Sequence, residues 1–102
     1  EELGLRGAEA FLRVPPVARP RIRLTLNMDM IGRSDDGRLF VAGTAHVPRL
    51  RGIVVEGARG AAVPVHLGHD RPTWRTGMVA DWTTASDHGA FHAAGIPFLY
   101  FG

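Results

Sequence analysis

The sequence contains no cysteine. That excludes disulfides, thiolate metal sites and a cysteine nucleophile. It contains no lysine either: all twelve basic residues are arginine. They are scattered without a dense block, and against ten acids they leave a net charge of only +2. Nothing in that balance marks a nucleic-acid surface. No apolar run approaches the roughly 20 residues that a membrane span requires. No Gly-rich phosphate loop, repeat or low-complexity tract is present.

What remains is 102 residues, 45% of them hydrophobic, a length and composition suited to one sheet-and-helix core. "LRGAEAFLR" places Leu5, Ala8, Phe11 and Leu12 at helical spacing, and "VPP" stops that helix. In "RIRLTLNMDMIG" the apolar Ile22, Leu24, Leu26, Met28 and Met30 alternate with Arg23, Thr25, Asn27 and Asp29. This predicts a strand with one apolar and one polar face. Gly32 to Gly37 reads as a turn, and "RLFVAG" as a second strand that can pair with the first as a hairpin. A helix follows from about Pro48 to Arg59, with Leu50, Ile53, Val54 and Ala58 as its apolar stripe. "AVPVHL" is a third strand, Gly68 to Thr84 a long loop, and "SDHGAFHAAG" a helix capped by Ser86 or Asp87 and ended by Gly95. "IPFLYFG" is a final strand, apolar enough to be buried on both faces. The order α, β, β, α, β, loop, α, β predicts an α/β layer structure with a mixed sheet. Both ends read as cuts inside a larger fold.

Asp29 stands near the carboxyl end of a strand, where ligands gather in open α/β sheets. A carboxylate between two methionines is costly to desolvate unless it is paired, hydrogen-bonded or metal-bound. Glu1 and Glu2 are adjacent, so in extended chain they point apart. They can divide labour, one holding a metal and the other taking a proton from a metal-bound water, or they can be solvated surface acids. His88 and His92 are four apart and share a helical face, a spacing open to zinc. The competing reading has Asp87 capping the helix and His88 packed or hydrogen-bonded. His46, His66 and His69 fall outside any ligand spacing, and "GHDRP" reads as a polar turn or an ordered active-site loop.

Taken in order, "EELGLRGAEAF", "LNMDMIG" and "SDHGAFHAAGIPFLYFG" resemble the catalytic half of the co-catalytic di-zinc aminopeptidases, metallopeptidase family twenty-eight. The resemblance covers nearly the whole chain. It implies a three-layer α/β/α sandwich with a mixed, mostly parallel sheet, of which residues 1–102 form a single partial domain. It implies a zinc-dependent exopeptidase acting on peptides, with two zinc ions in the parent protein. Residue by residue, Glu1 matches the general base, Glu2 the ligand to one zinc and Asp29 the ligand to the other. Asp87 and His88 match a stretch near the substrate pocket and are expected to support the site. The upstream His and bridging Asp of the family, and its downstream His, have no counterpart here, so this chain alone is expected to bind zinc weakly. Two alternatives go with the resemblance: a catalytically silent interaction module and a glutaminyl cyclase relative. Export to the periplasm or beyond the cell is expected from the family.

Overall fold

The computed structural model describes residues 4–71 and 80–102. Its sheet is built around the most buried strand. In chain order the elements are α1 (Arg6–Arg13), β1 (Thr25–Met28), β2 (Leu39–Ala42), α2 (Arg51–Ala58), β3 (Val65–Leu67), α3 (His88–Ala93) and β4 (Phe98–Phe101). The four strands form one sheet in the order β1-β4-β2-β3. The β1–β4 and β2–β3 pairings are parallel and β2–β4 is antiparallel. The sheet is therefore mixed and mostly parallel, and the fold is α/β.

The hairpin between the first two strands is not formed. β4 inserts between β1 and β2 and pairs with both. The reason is burial: Phe98, Leu99 and Tyr100 are 0%, 5% and 6% exposed, and only a central strand loses solvent on both faces. The Gly32 to Gly37 segment does turn, with positive φ at both glycines. It carries the chain past β4 instead of joining neighbours.

β1 is also shorter than its alternation. It is an edge strand whose ladder runs from Thr25 opposite Phe98 to Met28 opposite Phe101. Its length is set by β4, which is preceded by Pro97, a residue with no N–H to donate. The alternation itself holds, with an unexpected orientation. Thr25 and Asn27 are half-buried, while Leu26 and Met28 are 60% and 70% exposed. The polar face of β1 thus turns towards the packed side of the sheet.

That side is covered by α3, which packs on β1 and β4 and against α1. Ala8 and Leu12 of α1 meet Ala90 and Ile96 in one buried cluster, flanked by Leu5, Ile22, Phe91 and Ala94. α1 ends as its sequence requires, before Pro15 and Pro16. The Arg19 Nε donates to the Leu12 carbonyl at 3.0 Å and satisfies one carbonyl that the helix end leaves free. α3 closes in a Schellman turn: Gly95 N donates to His92 O and Ile96 N to Phe91 O, both at 2.9 Å, with Gly95 at φ 78°. The helix expected from Pro48 is a 3-10 turn, Pro48–Leu50, running into α2. Its stripe is not a core face, for no residue of α2 is buried and Ile53 is 70% exposed.

Candidate functional site

Asn27 and Asp29 are two residues apart, so on an extended chain they leave the same face. Ser86 and His88, at the start of α3, are also two apart. The structure brings the two pairs together. The Ser86 Oγ donates to the Asp29 Oδ2 at 2.7 Å, and the Asn27 Nδ2 lies 3.0 Å from the His88 Nδ1. "NMD" at the carboxyl end of β1 is thereby clasped to "SDH" at the head of α3.

Asp29 is held at its backbone as well. Its N–H donates to the Phe101 carbonyl at 3.1 Å, and its carbonyl accepts from the Tyr100 hydroxyl at 3.1 Å. A Cβ on Gly102 would stand 2.6 Å from that carbonyl and 2.4 Å from the Tyr100 hydroxyl, so this corner admits only glycine. The next residue, Met30, has φ 62°. The Asp29 carboxylate itself is exposed. It is an anionic group fixed in position and open to solvent, at the strand end where the sequence reading placed it.

His88 has the opposite environment. It is 0% exposed, with the Phe98 and Tyr100 rings at 4.7 and 4.6 Å. Its Nε2 is 2.7 Å from the Trp82 carbonyl. A carbonyl can only accept, so Nε2 carries the proton and Nδ1 accepts from Asn27. Burial pushes the His88 pKa down; the Trp82 carbonyl and the charges of Asp87 and Asp29 oppose that shift, while His92 adds to it. The ring is neutral with both nitrogens used, which removes the His88 and His92 zinc pair and leaves the packed, hydrogen-bonded reading.

Asp87 is exposed. It occupies the N-cap position of α3 without a side-chain cap bond, and Ser86 is engaged with Asp29. The expected capping is therefore absent from both. Glu1 and Glu2 lie outside the described residues, as does Trp74.

The five histidines were not legible as a group, yet all five join one aromatic chain. His66 and His69 pack on Phe40, at 5.5 and 4.7 Å. His69 stacks on Trp82 at 3.6 Å and 4°, and Trp82 meets Tyr100 edge-on at 5.8 Å. Beyond His88 and Phe98 come His46 and His92, with rings 4.7 Å apart. The Thr83 hydroxyl donates to the Asp81 Oδ1 at 2.6 Å, and the His46 Nε2 is 2.9 Å from the same hydroxyl. Burial raises the Asp81 carboxyl, but Thr83 hydrogen bonds and the nearby His46 and His92 outweigh it and hold it below its ordinary range. Asp70 of "GHDRP" is 4% exposed. Its Oδ2 accepts from Gly43 N and Ala45 N, both at 2.9 Å, so it anchors the turn after β2.

Among the described residues no three His, Asp or Glu groups cluster as a metal site. Asp29 offers the oxygen chemistry that zinc accepts, but a complete site needs donors from outside those residues. Comparison with curated proteins and with solved structures returned no match. The sequence matches the family model of Peptidase family M28 over residues 1–102. The chain belongs to Peptidase family M28, and its α/β fold agrees with that membership.

Proposed function

We propose that this chain forms part of a zinc-dependent aminopeptidase that hydrolyses the N-terminal peptide bond of its substrates. The observation that carries the reading is the Asp29 corner: an exposed carboxylate at the carboxyl end of a strand, braced by Ser86, Tyr100 and Phe101, in a member of a peptidase family. In this reading Asp29 and Glu2 hold the metal. Bound zinc supplies Lewis acidity, acidifying a water and polarising the scissile carbonyl. Glu1 takes the proton from the attacking water on its carboxylate and passes it to the leaving amine. Ser86 keeps the Asp29 carboxylate from rotating. His88 and its aromatic surroundings fix the strand beneath it, and Asp87 stays on the solvent side, where a peptide approaches.

The test uses the intact protein, N-terminal amino-acid release from peptides, and metal analysis. Glu1→Gln should lower turnover by roughly 10²- to 10⁴-fold, the usual contribution of a general base, with zinc content unchanged. Unchanged turnover in that variant overturns the role given to Glu1, and zinc near zero in the unaltered protein overturns the metal reading.

A further inference from the structure

A cavity of about 320 Å³ lies at the opposite end of the sheet from Asp29. It is lined by Arg19, Arg23 and Arg49 together with the apolar Ile22, Ile96 and Pro97. Arg23 precedes β1 and Pro97 precedes β4, whereas Asp29 follows β1. The six residues from Arg23 to Asp29 span roughly 20 Å of extended chain, so this cavity and the Asp29 corner are separate places.

Three arginines line this cavity and no acid does. The ion pairs among the described residues are Arg38 with Asp36 and Arg59 with Glu56; the three cavity arginines take part in neither. Arg19 is held by its Nε bond to the Leu12 carbonyl. The Schellman turn of α3 uses the Phe91 and His92 carbonyls internally, so those groups are taken. Like charges gathered around one hollow repel one another, and a planar guanidinium binds carboxylate and phosphate through paired donors. The volume is at the lower end for small-molecule pockets, and its lining includes apolar side chains beside the arginines.

We propose that this cavity binds a small organic anion, a phosphate or carboxylate group carried on an apolar body. The head group sits among Arg19, Arg23 and Arg49, and the body lies against Ile22, Ile96 and Pro97. The site is independent of the peptidase reading.

Calorimetric titration of the intact protein with hexyl phosphate, hexanoate, hexanol and inorganic phosphate tests it. One saturable equivalent of hexyl phosphate or hexanoate is expected, the tighter of the two identifying the head group. Hexanol should bind at least roughly tenfold more weakly, as should either anion to the Arg23→Ala, Arg49→Ala double variant, the loss expected for a charge-assisted contact. In the unaltered protein the Gly95 and Ile96 amide resonances should shift on titration, a readout that does not depend on the variant folding. Equal binding of hexanol, unchanged affinity in the double variant, binding that disappears on metal removal, or no saturable binding overturns the proposal.

Discussion

Asn27 and Asp29 meet His88 and Ser86 through matching two-residue spacings, and each contact sets the state of one group. Ser86 donates to one oxygen of the Asp29 carboxylate and leaves the other free of that bond. Ser86→Ala should therefore leave the fold intact while weakening metal binding in the intact protein by roughly 10- to 100-fold, the usual effect of losing a partner that orients a ligand. Zinc competition with a chelator measures it, and unchanged affinity would show that Ser86 does not orient the carboxylate. The role of Ser86 was not readable in "SDHGAF", which equally suits a helix cap. Only the approach of β1 decides which acceptor the hydroxyl finds.

At the scale of elements, the decisive event is the insertion of β4 between β1 and β2. It brings the β2 turn against the β4 backbone. At Gly43, φ is 119° and a Cβ would stand 2.2 Å from the Phe98 carbonyl oxygen. Gly43→Ala must separate two central strands, and a loss of about 3 kcal/mol or more is expected. Gly57, in α2, has nothing within 4 Å of an added Cβ. Gly57→Ala should instead gain about 0.5–1 kcal/mol through helix propensity. Denaturant midpoints of the two variants give the contrast, and a destabilised Gly57→Ala would show that α2 is packed more closely than its exposure indicates. The strands themselves were legible, since alternation and apolar runs are local. Their neighbours were not, because a short turn between two strands reads as a hairpin until a distant strand takes the place between them.

For the molecule as a whole, His88 is one group that makes stability depend on pH. Its folded pKa lies below the ordinary 6.5, chiefly because burial disfavours the charged ring. The unfolded chain therefore takes up this proton first as pH falls. The stability contributed by neutral His88 is complete above about 6.5 and is lost on acidification towards the lower folded value. Asp81, held below the ordinary 3.8, acts in the same direction only in a more acidic window. Thermal midpoints should decline between pH 7 and 5 for the unaltered protein. His88→Phe should be less stable at pH 8, by about 1–3 kcal/mol for each partner left unsatisfied, Asn27 and the Trp82 carbonyl. Its profile between pH 7 and 5 should be flatter. Parallel profiles would mean that His88 is not the group responsible.

The sequence by itself determined the local features: the α1 stripe and its proline stop, the Gly95 helix end, the alternation of β1, and Asp29 at a strand end. These depend on periodicity and backbone freedom, which neighbouring residues set. The motif order also sufficed to point to the peptidase family. Tertiary structure alone decided which strand is central, which face of β1 turns inwards, and which tautomer His88 holds. It also placed Arg23 and Arg49, distant in the chain, on one cavity. Those outcomes draw together residues far apart in the chain, as with Thr25 opposite Phe98, Asn27 beside His88, and Arg23 with Arg49 on one cavity. No local pattern encodes such contacts, because burial is a property of the assembled sheet.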